Sequence, residues 1–283
     1  MDQWILIKSG AIALGVVVAI AASYTRENQR AEHLVEKLVN CASPPDVSGV
    51  DFGALAQLPP PVARYFRHVL TADQPLIQTA RIRQSGVLRT STTTESWSSF
   101  TASQVVVPAA PGFVWNARVE LPLTTHVRVL DSYIAGVAAG RVSFLSTVVV
   151  ASESDVPELN AGALHRYLAE AVWYPTALLP QSGVVWSAID DQAALATVSD
   201  SGITVSLEFR FNDLGEVTGI YSPGRFRRFN GTYKQTPWEG HFRTYQMRGG
   251  MRVPSYGEVG WYEDETLELV WQGNILEAQY QFW

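Results

Sequence analysis

From Leu76 to the C-terminus the side chains alternate with a period of two, and that run is interrupted only once. Ile77, Thr79, Arg81, Arg83 and Ser85 alternate with Gln78, Ala80, Ile82, Gln84 and Gly86. Residues 203–211 are the clearest case, with Val205, Leu207, Phe209 and Phe211 on one face and Thr204, Ser206, Glu208 and Arg210 on the other. Period two places alternate residues on opposite faces of a pleated strand. Further runs of this kind cover 97–107, 113–121, 126–134, 141–150, 184–189, 193–198, 217–222, 238–245, 251–253, 257–262, 266–271 and 275–283. Turn clusters such as Pro108-Ala109-Ala110-Pro111-Gly112, Asp190-Asp191-Gln192 and Asn212-Asp213-Leu214-Gly215 separate many of them. Connections this short imply antiparallel pairing. The expected fold is mainly β with helices (α+β): a strongly curved antiparallel sheet of roughly ten to thirteen short strands with one central helix packed on it.

The interruption runs from Asp155 to Pro180. Asp155 and Glu158 have capping-box spacing, and Pro157 suits a first turn. Pro175 cannot donate its N–H, so the helix is expected to end or kink near Tyr174. At about 100° per residue, Leu164, Leu168, Ala171 and Pro175 form one stripe, while Arg166, Glu170 and Trp173 fall opposite it. Arg166 and Glu170 are spaced to pair. That second face is either a solvated ion pair beside a stray aromatic, the far side of a helix buried between sheet and loop, or the wall of a pocket that also involves Tyr174.

Before the sheet, Trp4–Tyr24 is apolar apart from Lys8 and is bracketed by aromatics. At about 1.5 Å per residue it reaches across about 30 Å of hydrocarbon. It reads as a retained single-pass membrane anchor, with a cleaved signal peptide ending near Ala19-Ile20-Ala21 as the alternative. Arg26, Arg30 and Lys37 against Lys8 leave the side of the membrane open. Residues 25–57 read as a stalk helix followed by a Pro- and Gly-rich linker, and 58–283 as one β-rich domain. Within that domain Pro61 opens a short helix whose apolar face is Val62, Tyr65, Phe66 and Val69.

A net charge of −6 argues against nucleic acid as a partner. The single cysteine, Cys41, excludes a disulfide framework and any multi-cysteine metal site. The five histidines show no ligand spacing, and no phosphate-binding, dinucleotide or serine-nucleophile motif is present. No metal or cofactor is therefore expected, and whether the chain is an enzyme stays open. On the run 238–243, Glu239, His241 and Arg243 share one face, with Trp238, Gly240 and Phe242 on the other. The Glu/His/Arg row is either acid–base or anion-binding machinery, or the polar face of a half-solvated strand. Glu258, near Trp261, is either a cross-strand partner for an arginine or a site carboxylate. Trp115 reads as core, and Arg225-Phe226-Arg227-Arg228-Phe229 as a solvated loop.

The blocks PGFVWNARV (111–119), RYLAEAVWYPTALLP (166–180), VSLEFRF (205–211), TPWEGHFRTY (236–245) and GMRVPSYGEVGW (250–261) resemble an uncharacterised bacterial family known only as a domain of unknown function. The resemblance spans roughly residues 58–283 and implies a coherent domain without assigning a residue role. In outline the curved sheet with its helix is also similar to periplasmic carriers of outer-membrane lipoproteins. The leading expectation is a membrane-anchored domain that binds or carries an apolar, lipid-like ligand. The alternatives are an enzyme whose Glu170, Glu239, His241 and Arg243 converge, and an envelope scaffold. Oligomeric state is left open.

Overall fold

Strands with one buried face need neighbours on both edges and a filling for the concave side. A computed structural model describes residues 3–45, 49–89 and 96–283, with residues 3–20 described in backbone only. Among these residues thirteen strands form one antiparallel sheet, curled into a half-barrel. The first meander is β1 (Ile77–Leu88), β2 (Ser98–Val107), β3 (Gly112–Leu121), β4 (Thr125–Ile134), β5 (Val137–Phe144) and β6 (Val148–Ser154). The second is β7 (Val185–Ala188), β8 (Ala193–Asp200), β9 (Ile203–Phe211), β10 (Val217–Phe229), β11 (Thr232–Arg248), β12 (Met251–Glu263) and β13 (Thr266–Phe282).

The order is β6-β5-β4-β3-β2-β1-β13-β12-β11-β10-β9-β8-β7, so the first and last strands pair at the centre. The two edges, β6 and β7, are consecutive in sequence and must be joined across the width of the sheet. The joining segment is the interruption predicted from sequence: helix α3 (Pro157–Glu170), followed by 3-10 turns at Ala171–Trp173, Pro175–Leu178 and Pro180–Ser182. It lies across the concave side, packing on β9, β10, β5, β4 and β3.

The N-terminus of α3 differs from the expected capping box. Val156 is the N-cap and makes no side-chain cap. Asp155 instead takes a positive φ of 56° and accepts from the Asn160 side-chain amide. Pro157 does sit in the first turn, and the α-helix gives way to 3-10 turns at Glu170, one turn before Pro175.

Several strands are longer than the sequence suggested, with β11 and β13 reaching 17 residues each. Pro223 lies inside β10, where the pairing with β11 skips from Ser222 to Arg225, so a bulge takes up the missing N–H. Pro254 lies inside β12, opposite Tyr245. Residues 225–229, expected as a loop, are the end of β10. They pair with β11 through the Asn230-Gly231 turn, where both residues have positive φ.

Helix α2 (Pro60–Val69) buries the predicted face, Val62, Tyr65, Phe66 and Val69, at one end of the half-barrel. The β4–β5 and β8–β9 turns touch through Gly136 and Ser201, and the Tyr133 hydroxyl donates across to Asp200 at 2.8 Å. Helix α1 (Gln3–Val39) contains the apolar run and the stalk segment. Its second half lies against the convex face, with Ala31 and Leu38 packed on Val105, Val107, Val114, Leu130 and Ile134. The Arg141 guanidinium bonds Glu27 at 2.9 Å, and Arg128 donates to Asn28 at 2.7 Å. Among the described residues no helix is long and apolar enough to cross a membrane. Most side chains of the apolar run Trp4–Tyr24 lie outside the described residues.

Candidate functional site

The concave face is not filled evenly. A cavity of about 380 Å³ remains between α3 and the sheet, lined chiefly by Trp115, Val129, Val142, Ala169, Trp173, Ile220, Trp238, Phe242, Val259 and Trp271. Its polar lining comes from Asp131, Arg166, Glu170, Arg89, Arg225 and Glu258. Val129, Val142, Arg225, Trp238, Val259 and Val270 all lie in the strand halves next to the β3–β4, β5–β6, β10–β11 and β12–β13 turns. The half-barrel is therefore plugged at the α2 end and hollow towards the other.

The face of α3 that the sequence left ambiguous looks into this cavity. The Arg166 guanidinium donates to Glu170 at 2.7 Å and to Asp131 at 3.1 Å, and its carbon lies 4.9 Å from the ring centres of both Phe113 and Trp115. Behind it runs a buried amide chain. Trp115 Nε1 donates to Gln84 at 2.8 Å, Gln84 donates to Gln104 at 3.1 Å, and Gln104 donates to Glu170. A buried polar network of this kind is tolerated only where its members find partners. Burial is the largest influence on the Asp131 carboxyl and pushes its pKa up, against the opposing pull of Arg166.

Trp173 is buried, edge-on to Phe242 at 6.0 Å and 6.1 Å from Trp271. Gly257, opposite Phe242, makes room for it, since a Cβ there would meet Trp173 at 3.1 Å. Trp238 and Trp261 face each other across β11 and β12 with ring centres 6.3 Å apart. Trp115 is both core, as expected, and cavity wall. Tyr174 is a core residue instead: fully buried, with its hydroxyl donating to the Tyr167 carbonyl at 2.7 Å. Burial raises its pKa far above the ordinary phenol value.

The Glu/His/Arg row lies on the other side of the sheet. Alternation that brings Trp238 and Phe242 into the cavity turns Glu239, His241 and Arg243 to the convex face. There Glu239 accepts from His241 at 2.9 Å, Tyr262 at 2.9 Å and Arg210 at 3.2 Å. Glu258 accepts from Tyr256 at 2.7 Å and lies 3.6 Å from both His241 and Arg243, whose guanidinium stacks on Tyr256. Glu258 is thus a cross-strand partner that also borders the cavity. Glu170 does not converge with His241, so the four-residue acid–base cluster does not form. Among the described residues no group of three or more His, Cys, Asp or Glu side chains is placed to hold a metal ion.

Sequence reasoning missed five polar residues of the site, Gln84, Arg89, Gln104, Asp131 and Arg225. Gln84 shares its strand face with Ala80 and Ile82, and Gln104 shares its own with Phe100 and Val106, so each is a polar residue on a core face. Asp131 sits on the face of Val129 and Tyr133. Arg225 was hidden in the misread loop, and the Asn230-Gly231 hairpin signal after it would have exposed it.

No curated protein matches the chain. Among solved structures, it is similar to a LolA-superfamily protein from Nitrosomonas europaea, with 7% identity and a TM-score of 0.41 over 82% of this chain and 94% of that one. It is also similar to a β-barrel-like protein of the domain of unknown function DUF1849 from Brucella abortus, with 10% identity and a TM-score of 0.23 over 73% and 99%. Residues 56–280, which carry the five blocks and nearly the whole sheet, match a family model, and the chain belongs to that family of unknown function, DUF6920.

Proposed function

We propose that the domain binds one apolar, lipid-like molecule in the cavity under α3 and does so at a membrane surface. The carrying observation is the cavity itself: about 380 Å³, with four tryptophans and a phenylalanine among its walls. That volume lies within the range of about 300–1,000 Å³ usual for small-molecule sites, and a mostly apolar lining with a few convergent polar groups is their usual composition.

The membrane part rests on the apolar run Trp4–Tyr24 and on what surrounds its end. Ser23 Oγ donates to the Thr147 carbonyl at 3.0 Å, which puts the β5–β6 turn beside that end. Leu145, Val148 and Val150 of this region are exposed, and Leu123 on the neighbouring β3–β4 turn is 90% exposed. Clustered exposed aliphatics favour an apolar partner, and they lie at the hollow end of the half-barrel. A ligand could pass between bilayer and cavity there without crossing bulk water.

Full-length protein purified from membranes should release a reproducible lipid on solvent extraction, identified by mass spectrometry. Val142→Phe, which fills the cavity from β5, should lose that lipid while retaining the native tryptophan spectrum. Equal recovery from both proteins would refute the cavity as the binding site.

A further inference from the structure

Arg225 is the unusual charge of the cavity. It projects from β10 beneath α3, with Nε and Nη2 both donating to the Gly162 carbonyl, at 3.3 and 3.0 Å. Its guanidinium carbon lies 4.5 Å from the ring centre of Trp238 and 5.1 Å from that of Trp261. Among the described residues no carboxylate forms an ion pair with it, and Nη1 has no hydrogen-bond partner. Arg166, in the same lining, is by contrast held by two carboxylates. The nearby negative charge is already engaged: the two oxygens of Glu170 are taken by Arg166 and Gln104. Asp131 is engaged in the same way, accepting from Arg166 at 3.1 Å. Burial and then Arg166 bring Arg225 down to about 10, so it remains a cation at neutral pH.

Position matters as much as charge. Arg225, Asp131 and Arg166 line both the aromatic cavity and a second, more polar cavity of about 280 Å³ beside it. Arg225 thus stands where an apolar chamber meets a polar one. Trp173 and Trp238, whose buried indole N–H groups have no acceptor, are both among the walls of the aromatic chamber. A guanidinium left without a counter-ion in a low-dielectric site is costly, and a carboxylate or phosphate oxygen satisfies it through charge-assisted hydrogen bonds.

We infer that Arg225 is the headgroup anchor of the site, and that the ligand is an anionic amphiphile whose acidic head meets Arg225 while its chain lies among Trp115, Trp173 and Trp271. This rests on the cavity reading above and narrows it to a ligand class. The head is a carboxylate, as in a long-chain fatty acid, or a phosphate monoester, as in an alkyl phosphate. A neutral or cationic head gains nothing from Arg225.

The test uses the full chain in phosphatidylcholine nanodiscs and follows quenching of tryptophan fluorescence by dibrominated C18 probes. Quenching in Val142→Phe gives the background from the bilayer. Dibromostearate or dibromo-octadecyl phosphate should quench the wild-type protein saturably at concentrations at least ten-fold below dibromo-octadecanol. Whichever acid binds tighter identifies the head. Arg225→Gln should bring the acids to the level of the alcohol and leave alcohol binding unchanged, which also shows that the variant is folded. Arg225→Lys should recover part of the preference.

Equal binding of acid and alcohol by the wild-type protein would overturn the headgroup assignment and leave the cavity reading intact. An acid preference that survives in Arg225→Gln would place the head elsewhere and overturn it too. Absence of saturable quenching by every probe would defeat both readings.

Discussion

Replacing Arg166 by methionine tests whether the inner face of α3 is a buried charge network or an ordinary surface pair. The guanidinium makes charge-assisted bonds to Glu170 at 2.7 Å and Asp131 at 3.1 Å and packs between Phe113 and Trp115. The side chains of Arg166, Asp131 and Glu170 are 21%, 33% and 15% exposed, so solvent reaches them only in part. Exposed pairs contribute about 0–1 kcal/mol, whereas removing one partner of a buried pair costs about 3–5 kcal/mol. Partial exposure puts the expected loss near the lower end, about 3 kcal/mol. Most of that is the cost of leaving two carboxylates facing an apolar chamber. The compensated variant, Arg166→Met with Asp131→Asn and Glu170→Gln, removes the stranded charge and should recover at least half of the loss. Urea unfolding of the full chain, followed by tryptophan fluorescence at pH 7, gives the comparison from midpoints and slopes. A single-variant loss below about 1 kcal/mol would refute the reasoning. So would a triple variant no more stable than the single one.

Three other outcomes follow from the same geometry. His165 is buried, and burial followed by Arg225 lowers its pKa from 6.5 to about 4. The unfolded chain therefore takes up this proton first. The stability present above pH 6.5 is reduced as pH falls to about 4, by about 3 kcal/mol in all, and His165→Gln should flatten that part of the urea-midpoint profile. Gly257→Val places branched carbons where a Cβ alone would stand 3.1 Å from Trp173, and should abolish lipid recovery while the far-UV spectrum stays β-rich. Glu239→Gln, on the convex face, should leave ligand recovery unchanged. A drop there would reopen the Glu/His/Arg row as part of the site.

How far the fold was legible depends on what each signal measures. Alternation reports a half-buried strand directly, and the faces of β9 came out residue for residue: Val205, Leu207, Phe209 and Phe211 are all buried. Proline reports only a missing N–H, which explains why β10 and β12 read as shorter than they are. A bulge at Ser222–Arg225 carries Pro223, something single-sequence reading does not anticipate. The helix face of Arg166, Glu170 and Trp173 could be drawn from periodicity, but whether it met water or sheet is a tertiary fact. Gln84, Gln104 and Asp131 were each visible as polar residues on core faces, yet what joins them is set by the register of β1, β2 and β4 against α3.

The cavity follows from topology more than from any one residue. Because β1 and β13 pair at the centre, the chain leaves one meander at an outer edge and enters the other at the opposite edge. One connection must then cross the whole concave side. A single helix cannot fill a curled sheet of thirteen strands, so α2 and the 3-10 turns after α3 pack one end and the other end stays hollow. Aromatic side chains narrow that space without closing it: the indole of Trp173 needs Gly257 beside it, and the guanidinium of Arg225 packs over both Trp238 and Trp261. Filling the hollow with core would have required an aliphatic residue at Arg225. A cation there, bonded to the Gly162 carbonyl, ties α3 to β10 and keeps the roof of the chamber in place. Arg225→Leu should cost little stability, because removing a buried charge offsets the lost bonds to Gly162, while Arg225→Gln and Arg225→Leu both lose acid binding. A loss of acid binding that tracked stability across the two variants would make Arg225 a strut for the roof and nothing more.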